Sequence, residues 1–282
     1  MSAPGAAEGY RAGHTLGLRV EVRRQLMRRR TQLTLGFLVL LPCLLAAAFE
    51  LGSGSSDRGA PGLVDLATSG AANFTLFAIF ASTGFLLVVV VALFAGDTVA
   101  AEASWSSLRY LLAVPVPRSR LLRQKLLVAL GYSAFAIVLL PVASLLVGWA
   151  VFGWAPVRSP LGITLSTPEA FLRLAIIVGY LAVGLLVVAA LAFLIGVHTD
   201  APLGAVGGAV LLVIVSNILD AVSALGSLRK FLPTHYQFAW IDALGTQVQW
   251  SGMARGALSS SLYSAALFAL AWWHFLRKDI LS

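Results

Sequence analysis

The chain has 282 residues, of which 59% are hydrophobic and only 11% charged, whereas an ordinary globular domain has roughly 25% charged residues. Its mean hydropathy is +0.89 and its formal net charge is +8. So few charged residues exclude a water-soluble globular fold, while the basic excess alone would be compatible with nucleic-acid binding.

The apolar residues form six long runs that contain no Asp, Glu, Lys or Arg. Because a helix of about 20 residues crosses the ~30 Å hydrocarbon core, each run is long enough for one span. We therefore predict an all-α polytopic membrane protein with a single transmembrane domain over residues 15–282. The six predicted transmembrane helices lie at about 31–50, 73–96, 126–151, 170–197, 202–223 and 256–276.

The basic residues show how the spans are oriented. Seven arginines precede the first run, five basic residues lie from Arg109 to Lys125, and Arg277 and Lys278 follow the last run. Because cytoplasmic loops are enriched in Lys and Arg, both termini and the 97–125 segment are predicted to be cytoplasmic. The sequence thus predicts a multi-pass protein of the cytoplasmic (inner) membrane, and its basicity indicates topology rather than a nucleic-acid partner.

The N-terminal residues are predicted to divide into two parts. Residues 1–14 are small and Gly-rich, which is typical of disorder. From Thr15 to Arg30, Leu18, Val22 and Leu26 recur at four-residue spacing, as in a helix lying at the membrane interface. A simple arginine cluster that sets the topology explains this segment equally well.

The segment between the second and third spans, GDTVAAEASWSSLRYLLAVPVPRSRLLRQK, contains the densest mixture of charged and apolar residues. Asp97 is predicted to cap a helix from Thr98 to about Ala113, which Pro115 and Pro117 end. The helix is half apolar and cytoplasmic. It is predicted either to offer a docking surface to a partner or to lie on lipid.

The fifth span carries small and polar residues at opposite ends. Gly204 and Gly208 have the small-xxx-small spacing that lets helices approach closely, within one subunit or across a dimer. Near the outer end lie Asn217 and Asp220, the latter ~27 Å along the axis from the start of the helix. With Glu50 at similar depth, they are predicted either to form the outer mouth of a pathway or to be solvated among headgroups.

Two further regions complete the chain. Residues 226–255 are rich in aromatics, but their apolar stretches are too short to span, so short interfacial or re-entrant helices are predicted there. His198, in a tight inner turn, is interpreted as solvated.

The sequence motifs of several enzyme classes are missing from the chain. It has no GxxxxGK[ST] phosphate loop and no HExxH, GxSxG or CxxC motif, and its histidines are scattered. We therefore predict no catalytic residues, no metal site and no cofactor in this chain. A polytopic membrane enzyme or an accessory scaffold without nucleotide coupling remains the alternative to a transport subunit.

Three stretches resemble the membrane subunits of the ATP-binding-cassette type-2 permease family. The first is Gly96 to Lys125, with an acidic helix followed by Leu-Leu-x-x-Pro-Val-x-Arg and a basic start to the third span. The second is Leu-Pro-x-x-Tyr at residues 232–236, and the third is the ending Phe-Leu-Arg-Lys-Asp-Ile at residues 275–280. Where many members have Gly-Thr, this chain has Ser106-Ser107.

The resemblance implies an exporter in which two six-span subunits, identical or related, form the translocation pathway. A separate cytosolic ATPase subunit would bind ATP and Mg²⁺ and drive export. The helix between spans two and three would be the coupling helix that docks on this ATPase, and the implied docking residues in this chain are Asp97, Glu102, Trp105, Leu108, Arg109, Pro115 and Arg118. The transported substrate is left open among an amphipathic drug, a lipid and a peptide.

Overall fold

The computed structural model of the protein describes residues 17–52, 63–104, 118–158 and 163–277. Nearly all of these residues are helical. The helices are α1 (Leu18–Leu26), α2 (Arg29–Gly52), α3 (Leu63–Ala67), α4 (Ala71–Thr83), α5 (Leu86–Ser104), α6 (Arg118–Phe152), α7 (Thr167–Gly184), α8 (Leu186–His198), α9 (Pro202–Ala221) and α10 (Trp250–Arg277).

Short elements join these helices at one end of the bundle. Strands β1 (Val157–Arg158) and β2 (Thr164–Leu165) form an antiparallel hairpin in which Val157 pairs with Leu165. Two 3₁₀ segments, Ser223–Phe231 and Ala239–Leu244, lie between α9 and α10 where short interfacial or re-entrant helices are predicted. The predicted disorder of residues 1–14 lies outside the described residues.

The charge-free runs form helices because lipid offers no partner for unpaired backbone groups. Within the described ranges, four helical stretches are long and apolar enough to span a membrane: α2, α6, the continuous pair α7–α8, and α9. The pair α4–α5 is bent by 59° and makes a fifth if it is counted as one span. The chain is therefore a helical, multi-pass membrane protein.

The last predicted span, 256–276, lies within α10, which is long enough to cross a bilayer but is not among those apolar stretches. Three consecutive serines, Ser259 to Ser261, lower the hydropathy of its middle. Ser260 and Ser264 are buried against the rest of the bundle, and Ser264 donates its hydroxyl to the Ser260 carbonyl. These two serines of α10 thus face protein, whereas Ser261 is exposed.

The core of the bundle is formed by α5 and α8, which pack on each other along much of their length. Helices α6, α9 and α10 surround this pair, and α2 and α4 pack on α6. Fully buried side chains in the core include Phe94 on α5 and Phe193 on α8. The central position of α5 matters because the segment with the mixed charges follows it directly.

The bundle has two chemically different ends. At the one that we call the basic end, the junction of α1 and α2 meets α5 and α6, and α8 turns into α9. At the other, the hairpin end, β1–β2 and residues 223–249 lie over the helices. These two ends are the places where the chain carries polar side chains in contact with one another.

Candidate functional site

The basic end is organised around the carboxylate of Asp97. Its side chain is only 1% exposed, and both of its oxygens are paired with arginines from the junction of α1 and α2. Arg28 donates to Oδ2 at 2.9 Å, and Arg30 donates to Oδ1. Because α1 ends at Leu26 and α2 begins at Arg29, these pairs fix both helices to the end of α5.

This role of Asp97 differs from the helix cap that the sequence predicts. The helix does not start at Thr98 but runs without interruption from Leu86 to Ser104, so Asp97 lies within it. Nothing in this stretch ends the preceding span, since the first prolines come at Pro115 and Pro117. The carboxylate therefore binds side chains brought from almost 70 residues away rather than backbone N–H groups of its own helix.

A second contact holds α1 on α6. Lys125, which is 4% exposed, donates its Nζ to Glu21 Oε1 at 3.2 Å, and the Tyr132 hydroxyl donates to the Val22 carbonyl at 2.7 Å. The contacts with Lys125 and Tyr132 hold α1 on α6, and the arginines that follow α1 bind Asp97 of α5. Together they connect α5 to α6 through α1. We call the five side chains of Glu21, Arg28, Arg30, Asp97 and Lys125 the basic-end cluster.

The predicted coupling helix lies between the two ends that this cluster anchors. α5 ends at Ser104 and α6 begins at Arg118. Trp105, Leu108, Arg109 and Pro115 lie outside the described residues, as do the side chains of Glu102 and Arg118. What the structure places at this site is the pair of helix ends from which the segment extends.

Close to Asp97, two glycines allow α5 and α8 to touch backbone to backbone. A Cβ atom added at Gly196 would lie 2.5 Å from the carbonyl oxygen of Gly96, and one at Gly96 would lie 3.3 Å from Ala205 Cβ of α9. Gly204 and Gly208, the predicted packing pair, do not form such a backbone contact. A Cβ at Gly208 would touch Ile195 of α8 at 3.4 Å, whereas Gly204 is exposed and reaches no other helix among the described residues.

Two histidines also meet at the basic end. The His198 and His274 rings stack with centroids 3.7 Å apart, and His198 Nδ1 lies 2.8 Å from the Leu194 carbonyl oxygen. His198 is exposed, as predicted, but its ring is not isolated. In the described part of the chain, no three His, Cys, Asp or Glu side chains form a group that could hold a metal ion.

At the hairpin end, Arg173 holds the loop between α9 and α10. Its side chain is 5% exposed and donates to the carbonyls of Ala243 at 2.9 Å, Gly245, and Thr246 at 3.2 Å. A further bond runs to Glu169 at 2.5 Å. A lone arginine at the start of a predicted span was the one sequence feature that could have indicated this clamp.

The Leu-Pro-Thr-His-Tyr motif is bonded to the helices at three successive residues. The Thr234 and Ser216 hydroxyls are 2.8 Å apart, His235 Nδ1 lies 2.5 Å from Asp220 Oδ1, and Tyr180 donates to the Tyr236 carbonyl at 2.6 Å. The motif therefore joins α7 and α9 across the hairpin end.

The three predicted mouth residues lie on two helices. Asp220 contacts His235 and is half-buried, and Asn217 one turn earlier on α9 is also half-buried. Glu50 is exposed near the end of α2. α2 packs on α6 whereas α9 packs on α5 and α8, so the polar group nearest to Asp220 comes from the loop rather than from α2.

Comparison with known proteins identifies the family of this chain. A family model whose description is "Protein of unknown function (DUF2705)" matches residues 63–281, which include Asp97, Lys125 and the hairpin end but not α1 or α2. No curated protein matches the chain.

Proposed function

We propose that this chain, which belongs to the DUF2705 family, is the permease subunit of an ATP-binding-cassette exporter. In this proposal it has six spans with both termini in the cytoplasm, and two such subunits form the pathway. The basic end faces the cytoplasm and the hairpin end faces outward. A separate cytosolic ATPase binds ATP and Mg²⁺, and this chain contributes no catalytic residue.

The observation that carries the proposal is the basic-end cluster. A segment that docks on an ATPase can move the spans only if both of its ends are attached firmly to them. Here Asp97 joins α5 to the α1–α2 junction, and Lys125 joins α6 to α1. Because Asp97 and Lys125 are almost wholly buried, solvent and salt screen these pairs much less than surface pairs.

Through the basic-end cluster, a displacement of residues 105–117 would move α1, α2, α5 and α6 at the same time. α5 and α6 continue directly from the ends of the segment, and α1 and α2 follow through the ion pairs. The close contact at Gly96 and Gly196 passes the movement of α5 to α8. Packed elements with discrete ion pairs are the means by which proteins couple distant sites.

The docking contacts are proposed for the side chains that the resemblance indicates. Glu102, Trp105, Leu108 and Arg109 would face the ATPase on the helix that extends from α5, and Pro115 and Arg118 would fix the return toward α6. Asp97 would act from within the bundle, because its carboxylate is already paired with two arginines.

The hairpin end is proposed to close the outward side of the pathway. The bonds from Thr234, His235 and Tyr236 to α7 and α9 hold the loop across these helices. In this proposal, opening breaks the Asp220–His235 contact, and an outward-moving substrate passes Asp220 and Asn217. Glu50 would contribute its charge from α2.

Purification of the tagged chain from its native membranes in a mild detergent tests the proposal. We expect an ATP-binding-cassette ATPase to co-purify and the complex to hydrolyse ATP in a vanadate-sensitive manner. The double variant Glu102→Ala with Arg109→Ala should lose most of the ATPase while remaining in the membrane. Arg255→Ala, which removes an exposed charge from the hairpin end, is the matched control and should retain it.

An assembled chain without any nucleotide-binding subunit would contradict the proposal. Equal recovery of the ATPase with the double variant and with the control would contradict the assignment of the docking residues. Activity or partner assembly that does not depend on nucleotide would instead favour a membrane enzyme or a scaffold.

A further inference from the structure

A cavity of about 120 Å³ lies at the hairpin end, between α3, α4 and the Ala239–Leu244 segment. Its wall is aromatic and aliphatic, with Phe77 and Phe80 on one side and Trp240 and Leu244 on the other. Phe80 is 44% exposed, so the cavity lies next to apolar surface. Apart from Asn73 and Arg158, every lining residue in the described part of the chain is apolar.

Asn73 has no donor left for an anionic ligand, because both of its amide hydrogens are already bonded to the protein. Its Nδ2 donates to the carbonyls of Leu66 at 3.0 Å and Arg158 at 2.9 Å, and its Oδ1 accepts the Arg158 backbone N–H at 3.0 Å. This reciprocal pair fixes the backbone of Arg158 beside the cavity. The amide thus positions the arginine and is not itself a ligand-binding group.

Arg158 supplies the only formal charge of the lining. It is exposed, and its guanidinium forms no ion pair with any described residue. Two other basic side chains at the hairpin end are bonded to the protein: Arg173 to Glu169 and three carbonyls, and Arg229 to the carbonyls of Gly226 and Asp220. An unpaired arginine held next to an apolar wall is complementary to a ligand with a negative group on an apolar body.

Trp240 contributes apolar surface to the cavity. The residue is 1% exposed and lines the cavity, and its indole Nε1–H has no acceptor among the described residues. This nitrogen is itself buried away from the cavity surface, so it is out of reach of a ligand. Arg158 is therefore the group of the described lining that can pair with a negative charge on a ligand.

We propose that this cavity binds a single-chain anionic amphiphile, a fatty acid drawn from the membrane. The alkyl chain lies between Phe77, Phe80 and Trp240, and the carboxylate pairs with Arg158. A cavity of roughly 150 Å³ with a similar apolar lining is known to hold benzene, so 120 Å³ accepts a segment of one chain but not two chains side by side. The site lies within one chain and needs no ATPase, so it is independent of the proposed transport function.

Photolabelling tests the site directly. The purified full-length protein in a neutral detergent is irradiated with dodecanoic acid that carries a diazirine on its chain, and the labelled residues are mapped by mass spectrometry. We expect saturable labelling of α4 and residues 239–244, competed by plain dodecanoate but not by dodecanol. Uniform, non-saturable labelling of the lipid-facing helices, or equal competition by the alcohol, would overturn the proposal.

Two variants separate the charge from the cavity. Arg158→Gln keeps a polar side chain at an exposed position and should weaken binding roughly tenfold, the loss expected for one hydrogen bond to a charged group. Arg255→Gln removes an exposed charge from the same end and should leave binding unchanged. If both variants bind the acid equally well, Arg158 is not its partner and the proposal fails.

Ala67→Phe fills the cavity from α3 and should abolish the labelling. The elution volume of each variant on size-exclusion chromatography establishes that it is folded. A folded Ala67→Phe protein that is still labelled at the same residues would show that the acid binds elsewhere, and would also overturn the proposal.

Discussion

Gly196→Ala probes the closest helix contact in the bundle. The added Cβ would lie 2.5 Å from the Gly96 carbonyl oxygen, about 0.9 Å short of ordinary van der Waals contact at 3.4 Å. The atom that it meets belongs to the backbone, so it cannot move aside as the end of a flexible side chain can. Relief therefore requires α5 and α8 to separate where they pack most extensively.

The expected cost follows from the type of clash. Overpacking by a methyl group in a well-packed core destabilises proteins by about 1–3 kcal/mol. Gly179→Ala is the matched control, because Gly179 also lies within a helix and has nothing within 4 Å of an added Cβ. Because both glycines are helical, the gain in helix propensity of about 1 kcal/mol applies to both variants, which should therefore differ by the cost of the clash, about 1–3 kcal/mol.

Thermal unfolding in detergent measures this difference. Aliquots heated to increasing temperatures are passed over a size-exclusion column, and the midpoint is the temperature at which half of the monodisperse peak is lost. Gly196→Ala should have a midpoint several degrees below that of Gly179→Ala. Equal midpoints would refute the contact between α5 and α8, and with it the proposed route from α5 to α8.

Three further predictions concern the two ends. Asp97→Ala should lower the unfolding midpoint more than alanine at either of its two arginine partners, because each arginine variant leaves the buried carboxylate one partner; equal midpoints would contradict this. Arg173→Lys should make the 223–249 segment cleavable by trypsin, since a single ammonium cannot serve three carbonyls and a carboxylate; unchanged resistance would refute the clamp. Tyr180→Phe should lower the midpoint more than Tyr263→Phe, because only the first hydroxyl is buried among protein atoms; the reverse order would refute this reasoning.

The positions of the helices could be predicted because lipid forces each long charge-free run to satisfy its own backbone. Five of the six predicted segments lie in one helix or in a consecutive pair of helices, and the fifth, 202–223, extends two residues past the end of α9 at Ala221. The breaks inside two of them were not predicted. The bend between α4 and α5 comes at Ser82-Thr83-Gly84, and the interruption between α7 and α8 directly follows Gly184. Small residues of the same kind also lie inside unbroken helices, as Gly131 does in α6, so they do not by themselves mark a break.

The side-chain partners could be predicted even less, since they depend on which helix faces lie together. Asp97 was singled out because it lies in the mixed-charge segment. From the neighbouring sequence alone, a helix cap is the expected role for this aspartate. In the fold it is buried beside α1 and α2, where it pairs with two arginines instead. The spacing of Gly204 and Gly208 resembles a packing motif, yet the closest backbone contact is at Gly96 and Gly196. These two are 100 positions apart, and no spacing rule connects them.

A cross-link from the predicted coupling helix tests the central claim most directly. Cys43 is the only cysteine of the chain, so Cys43→Ala with Ser107→Cys leaves one thiol in the 105–117 segment. A thiol-reactive photo-cross-linker applied in native membranes should join this position to an ATP-binding-cassette ATPase, whereas Ser251→Cys at the hairpin end in the same background should not. A Ser107→Cys chain that is joined to no ATPase, or joined to one only as often as Ser251→Cys, would contradict the assignment of this protein as an exporter permease.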